Sequence, residues 1–206
     1  MKQYHKIQTI YKRDPATKHK TLLLGEFSVP EFGYLQDNEW VFTEKIDGTN
    51  IRVMVQDGRV EFGGKTDQAQ IPARLEGHLR ETFDAETLVR MFADGTCLYG
   101  EGCGAGIQKG GGNYYQDQRF VLFDVKVGEW WLKREAVEDI AAELGIPAVP
   151  VIGRGTLGDL VEMCQNGFTS QWGEFPAEGI VARPAVDLRT RGGQRIITKL
   201  KRKDFR

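Results

Sequence analysis

Thr43-Glu44-Lys45-Ile46-Asp47-Gly48-Thr49-Asn50-Ile51-Arg52 sets one lysine between an acid and an Asp-Gly pair, at the mouth of a strand predicted over Ile51–Val55. A lysine in that setting is either a surface charge or a nucleophile whose amine is held against a phosphate. The pattern Lys45-Ile46-Asp47-Gly48 recurs by chance, so its meaning depends on the rest of the chain. Downstream come Gly63-Gly64-Lys65-Thr66, then Leu98-Tyr99-Gly100-Glu101 with the apolar run Phe120-Val121-Leu122-Phe123-Asp124. Glu178-Gly179-Ile180-Val181-Ala182-Arg183 and Ile196-Ile197-Thr198-Lys199-Leu200-Lys201 complete the series.

The residues around these segments predict hairpins and separate helices. Ile51–Val55 and Arg59–Phe62, joined across Gln56-Asp57-Gly58, read as a β-hairpin with Asp-Gly at its turn. Helical spacing runs from Ala73 to about Phe92, with a break predicted near Phe83-Asp84. Cys97–Glu101 reads as a short strand entering a glycine-rich loop, and Arg119–Val127 as an apolar strand turned by Gly128-Glu129 into Trp130-Trp131-Leu132. Of the two tryptophans, one is expected in the core and the other partly exposed. Lys133–Leu144 predicts an amphipathic helix stopped by Gly145 and Pro147, and Thr156 caps a shorter one to about Cys164. Gly179–Arg183 and Arg195–Leu200 are the closing strands. In the last, Lys199 and Lys201 fall on one side, as a phosphate clamp or as the charges of a solvated edge. Without a regular βαβ alternation, the class is α+β with largely antiparallel sheets. With no repeat or long linker, residues 1–206 read as a single domain.

Composition excludes several classes. A chain of 206 residues with 40% hydrophobic and 28% charged content suits one full-sized domain with a core of its own. No apolar run approaches the roughly 20 residues of a membrane span, and the opening MKQYHKIQTIYKRD lacks the apolar centre of a secretory signal. Cys97, Cys103 and Cys164 are odd in number and show no C-x-x-C spacing, so they read as reduced thiols of a cytoplasmic protein. His5, His19 and His78 show no metal-ligand spacing. Gly100-Glu-Gly-Cys-Gly-Ala105 satisfies G-x-G-x-x-A, but no helix and no βαβ unit surround it, so the dinucleotide reading fails. The net charge of −1 hides an uneven distribution. Residues 1–20 carry six Lys/Arg against Asp14, and residues 189–206 carry eight against Asp204. Basic ends on an acidic body indicate an anionic partner or solvated tails.

Taken in order, the five segments resemble the nucleotidyl-transfer motifs of the covalent nucleotidyltransferase superfamily, which contains polynucleotide ligases and mRNA capping enzymes. The nearest resemblance is to the RNA ligase 2-like family of ATP-dependent RNA ligases, through Glu44-Lys45-Ile46 with Gly48-Thr49-Asn50, and through Gly100-Glu101 with Gly106-Ile107-Gln108-Lys109. The resemblance implies an ATP-grasp-like DNA/RNA ligase adenylylation domain, mostly antiparallel sheets flanked by helices. A basic N-terminal segment of about 40 residues precedes the lysine, too short for the additional domain of NAD-dependent ligases. Only five residues follow Lys201, so no OB-fold is expected. ATP is the implied donor and Mg²⁺ or Mn²⁺ the implied metal.

The same resemblance implies the roles. Lys45 would attack the α-phosphate of ATP, with Glu44 and Ile46 flanking it in the nucleotide site. Asn50 would steer the later chemistry. Glu101 would bind the ribose hydroxyls and Phe123 would stack on adenine, although a lone strand phenylalanine also reads as core. Glu178 would stand by the phosphate and hold hydrated metal. Lys199 and Lys201 would clamp the α-phosphate. The family usually has arginine where Lys65 stands, and lysine keeps the charge without the fork. Asp47 gives the lysine-x-aspartate-glycine form shared with DNA ligases.

The implied activity joins 5′-phosphate to 3′-hydroxyl ends of RNA, or a nicked duplex, through a lysyl-adenylate, with RNA repair as its setting. The alternatives are a minimal DNA ligase, a 5′-end adenylyltransferase, and a non-catalytic nucleotide- or RNA-end-binding protein.

Overall fold

In the computed structural model, which describes residues 3–205, the chain forms twelve strands and five α-helices among those residues. The first stretch holds β1 (Gln8–Thr9), β2 (Tyr11–Arg13), β3 (Leu22–Phe27), α1 (Pro30–Tyr34) and β4 (Trp40–Lys45). The middle holds β5 (Thr49–Gln56), β6 (Arg59–Gly63), α2 (Ala73–Thr82), α3 (Ala85–Met91), β7 (Thr96–Gly104), β8 (Gln118–Val127), β9 (Trp130–Trp131) and α4 (Arg134–Glu143). The last stretch holds β10 (Val151–Gly155), α5 (Leu157–Asn166), β11 (Gly179–Pro184) and β12 (Thr198–Lys201). The class is α+β with mostly antiparallel sheets, as the sequence predicts.

Internal contacts divide these elements between two units. The terminal unit comprises Lys6–Ile46 and the chain from Pro150 onward, and the central unit comprises Asp47–Val149 with the residues up to His5.

In the terminal unit five strands run in the order β1-β12-β11-β4-β10, antiparallel except where β1 joins β12. One face carries Trp40, Phe42, Ile180, Ala182 and Leu200, packed against Leu157, Leu160 and Cys164 of α5. Each such aliphatic side chain contributes about 1.5–3 kcal/mol when fully buried. Thr156 starts α5 as predicted, with a reciprocal capping box: its hydroxyl accepts from the Asp159 N–H, and the Asp159 carboxylate accepts from the Thr156 N–H. The last strand begins at Thr198, three residues later than the sequence pattern predicts.

In the central unit the order is β6-β5-β7-β8-β9. Asp57 and Gly58 take φ of 52° and 68°, the left-handed pair that a two-residue hairpin turn requires. The core face presents Ile51, Val53, Val55, Leu98, Leu122 and Val125, covered by Leu75 and Leu79 of α2, Leu88 of α3 and Val137 of α4. The helical stretch breaks at Phe83-Asp84, where the Asp84 carboxylate accepts from the Thr87 N–H and starts α3. Trp130 is exposed, whereas Trp131 packs against Tyr99. Strand β7 runs on to Gly104, into residues the sequence pattern assigns to a loop. The glycines there serve close packing: a Cβ on Gly100 would strike the Phe120 ring and one on Gly102 the Leu75 side chain, each closer than 2.5 Å.

Gly48, the glycine of the lysine motif, lies against the same strand. A Cβ at Gly48 would fall 2.2 Å from the Gly102 carbonyl oxygen and 2.9 Å from Glu101 Cγ. Gly48→Ala is therefore expected to destabilise the protein by about 1–3 kcal/mol through overpacking against backbone. Gly77→Ala, with nothing within 4 Å of the added methyl in α2, should stabilise it by about 0.5–1 kcal/mol. Urea unfolding of the two variants checks the difference.

Candidate active site

The terminal unit builds a charged face from strand register. Antiparallel pairing sets Lys45 of β4 and Lys201 of β12 on either side of Gly179 in β11, while Val181 stands between Thr43 and Lys199. Because strand side chains alternate, Thr198 and Leu200 are buried while Lys199 and Lys201 remain half-buried on the other face. The Glu178 carboxylate, one residue before β11, bridges the row. Lys45 Nζ donates to Glu178 Oε2 at 2.6 Å and to the Ile46 carbonyl oxygen at 3.1 Å. Lys201 Nζ pairs with Glu178 Oε1 at 2.5 Å. These side chains are 19%, 11% and 22% exposed for Lys45, Glu178 and Lys201, so the charges are screened less than on an open surface yet remain reachable.

Backbone contacts fix this arrangement. The Arg202 N–H donates to the Glu178 carbonyl at 3.0 Å. Gly179 admits the close approach of β12, since a Cβ there would lie 2.2 Å from the Leu200 oxygen and 2.8 Å from the Lys201 Cα. Lys45 ends a strand that sequence patterning does not reveal. Trp40-Val41-Phe42-Thr43-Glu44-Lys45 is at least half-buried on both faces, so no polar alternation marks it.

Glu44 faces away from Lys45, on the core side. The residue is 1% exposed, and its carboxylate accepts from the Ser170 hydroxyl at Oε1, 2.6 Å, and from the Gln171 N–H at Oε2, 2.8 Å. Burial pushes its pKa above the usual carboxylate value, against the downward pull of those two bonds. Glu44 therefore anchors the 170–171 segment to β4. Ile46 is 3% exposed and reaches the charged row through its carbonyl oxygen. Ser170 is a participant that the sequence motifs miss, since no spacing rule ties it to Glu44.

In the central unit, Asn50 pairs with Glu101, and Glu101 with Val121, across β5, β7 and β8. The β7–β8 ladder shifts between Tyr99, opposite Asp124, and Gly100, opposite Leu122. Phe123 is the extra residue of that bulge. A bulge re-aims a side chain, and here Phe123 joins the cluster of Met54, Cys97 and Tyr99 rather than the helix-covered core. Its ring lies edge-on to Tyr4 at 5.0 Å, and the Tyr4 hydroxyl donates to Asp124 Oδ2 at 2.6 Å. Burial pushes the thiols of Cys97 and Cys103 up to about 11 and about 12, so both stay protonated and inert near neutrality. Asn50 Oδ1 is buried without a hydrogen-bond partner, which costs about 1–3 kcal/mol and marks an acceptor available to a donor group.

Two loops meet this strand end. Fully buried Arg52 donates from Nε to the Gly64 carbonyl at 2.8 Å and from Nη2 to Asp67 Oδ1 at 2.9 Å. The bend between those contacts carries Lys65, which is exposed. Gln108 Nε2, from the glycine-rich loop, donates to the Gly48 carbonyl at 3.2 Å, and the Asp47 N–H donates to the Tyr114 hydroxyl at 3.3 Å.

No cluster of three or more His, Cys, Asp or Glu side chains suited to a metal occurs among the described residues. Glu178 by itself fits the habit of Mg²⁺, which takes one or two carboxylates and completes its shell with water and substrate phosphate. Its two oxygens already face ammonium groups, so a cation there competes with Lys45 and Lys201 for the carboxylate.

The RNA ligase family model matches residues 38–201. Among solved structures, the chain resembles a mutant Naegleria gruberi RNA ligase with ATP and Mn at a TM-score of 0.71 and 16% identity, covering 98% of this chain and 56% of that one. An apo mutant of the same enzyme gives 0.69 and 17%, covering 86% and 53%. A further mutant with AMP and Mn gives 0.68 and 17%, covering 94% and 55%. The chain thus spans about half the length of these structures, and the likeness at such identities is one of fold. All five ordered segments fall within the matched region, and the chain belongs to the RNA ligase family.

Proposed function

We propose that the protein is an ATP-dependent RNA ligase that seals 5′-phosphate to 3′-hydroxyl ends. The observation that carries this reading is the Glu178 carboxylate held between the amines of Lys45 and Lys201 on the charged face of the terminal unit. The Lys45 amine would form a bond to the α-phosphorus of ATP as the bond to pyrophosphate breaks, with the amine proton passing to Glu178 or solvent. AMP would then move from Lys45 to the 5′-phosphate of a nucleic acid, and the 3′-hydroxyl would displace it, forming the phosphodiester. Lys199 and Lys201 would oppose the negative charge that develops on the α-phosphate. Glu178 would receive divalent metal, whose charge helps neutralise the phosphates and lowers the proton affinity of nearby amines.

Central-unit residues support the nucleotide roles that the resemblance implies. Glu101 stands beside Asn50, whose buried oxygen suits a hydroxyl donor, and Phe123 is turned by its bulge out of the core face. Lys65 on its Arg52-braced bend would add a cation. Glu44 would act by holding the strand that ends in Lys45, and Ile46 through its carbonyl. Three buried, unbridged cysteines fit a reducing compartment, and the cytoplasm is our proposed location. Among the described residues no helix is long and apolar enough to cross a membrane.

Incubation with α-labelled ATP and Mg²⁺, followed by denaturing electrophoresis, tests the first step. Lys45→Ala and Lys45→Arg should both abolish labelling, the second because a guanidinium cannot be deprotonated. Persistent labelling of either would overturn the assignment. Sealing assays on nicked RNA, DNA and hybrid duplexes should favour RNA, while accumulation of adenylylated 5′ ends without sealing would point to an adenylyltransferase.

The clamp is tested separately. Lys199→Ala and Lys201→Ala should each slow lysyl-adenylate formation by about 10²–10³-fold, the usual effect of losing a group that stabilises transition-state charge. Single-turnover rates on variants with wild-type circular dichroism check this, and near-wild-type rates would show the lysines to be surface charges.

Glu178→Gln removes the charge between the amines and keeps the side-chain shape. It should slow the same step at saturating ATP and raise the Mg²⁺ concentration needed for half-maximal rate. An unchanged metal titration would remove Glu178 from the metal role.

A further inference from the structure

Strand β1 runs parallel to β12, pairing Gln8 with Thr198 and Thr9 with Lys199. That pairing joins the two basic ends of the sequence. Along the seam opens a groove of about 1030 Å³ whose walls carry Lys6, Lys12, Lys20, Lys199, Lys201 and Lys203. The lining acid, Asp204, is neutralised in place. Its Oδ1 accepts from Arg13 Nη2 at 2.8 Å and its Oδ2 from the Lys201 N–H at 3.0 Å. Lys6, Lys20 and Lys203 are exposed, and Lys12 meets the exposed Glu26 at 3.3 Å. A concave wall of one sign concentrates its field and draws counter-ions.

The shape and chemistry of this groove select a polyanion. Its volume lies at the upper end of small-molecule pockets, and its lining holds no Phe, Tyr or Trp on which a base could stack. Its six lysines come from two stretches of the chain, residues 6–20 and 199–203. The lining includes Lys201, which shares the Glu178 carboxylate with Lys45.

We propose that this groove binds the phosphodiester backbone of an RNA strand, without reading its sequence, and leads that strand to the Lys45 row. The inference rests on the RNA ligase reading above. Cations from both ends of the chain take the phosphates, while Arg13 and Asp204 hold the β2–β3 hairpin against the C-terminal segment as the groove's fixed wall.

The test uses the full chain with Lys6, Lys20 and Lys203 changed together to Gln, none of which belongs to the catalytic row. A charge-matched control changes exposed Arg59, Arg90 and Lys133 of the central unit to Gln. Binding of a fluorescein-labelled single-stranded RNA is measured by anisotropy across a salt series, beside the rate of lysyl-adenylate formation. The groove variant should lower the slope of log K against log salt by about 2, since each lost phosphate contact removes about 0.7 for single strands. Its adenylylation rate should match wild type, and the control should leave the slope unchanged. An unchanged slope in the groove variant, or an equal fall in the control, overturns the proposal. So does slowed adenylylation with RNA binding intact, which would assign the groove to the departing pyrophosphate. A protein that forms the lysyl-adenylate yet binds no RNA loses the groove and keeps the nucleophile. One that binds RNA with the expected slopes yet never adenylylates keeps the groove and loses the ligase reading.

Discussion

A carboxylate held between two ammonium groups constrains everything around it. Glu178 can reach Lys45 and Lys201 together only if β4, β11 and β12 stay in register. Removing the Glu178 charge would leave two half-buried ammonium groups beside each other without their shared counter-charge, an unfavourable state. Gly179 keeps the strands close enough, and the core packed beneath them by α5 keeps the sheet rigid. Glu44 secures the strand of Lys45 from the far side through Ser170 and Gln171. One face therefore carries the charged row while the other supplies the packing energy, and single-residue alternation along each strand separates the two.

The central unit meets a similar demand by a local irregularity. An uninterrupted ladder would leave Phe123 and Asp124 on opposite faces, because side chains alternate. The bulge opposite Tyr99 and Gly100 brings both to the face away from the helices, where the aromatic joins Tyr4 and Tyr99. The small residues of β7 then admit Leu75 and Phe120 on the other side. A glycine-rich stretch that resembles a loop in composition is thus a strand pressed by its neighbours.

Legibility from sequence tracks the range of the forces involved. The Asp57-Gly58 turn, the break at Asp84 and the Thr156 cap depend on residues within a few positions, and all are readable. The ordered motifs disclose Lys45, Glu178 and Lys201, which the fold does bring together. Hidden features depend on distant partners. Strand β4 is at least half-buried on both faces, so it lacks alternation. Ser170 is 126 residues from the carboxylate it holds. The orientation of Glu44 toward the core comes from strand parity, which the motif alone does not encode. Two basic ends are visible as charge, but their union requires the pairing of Thr9 with Lys199.

That pairing separates the family-matched segment from the unit that folds. Residues 38–201 contain every motif, yet the outer neighbour of β12 lies at Gln8–Thr9, before the segment begins. A chain trimmed to the matched region would expose the amides and carbonyls of β12 as an unpaired edge. Such an edge can recruit a strand from another molecule, restrained chiefly by the lysines along it. The short N-terminal strand thus covers the edge of β12 in the sheet that carries the charged row.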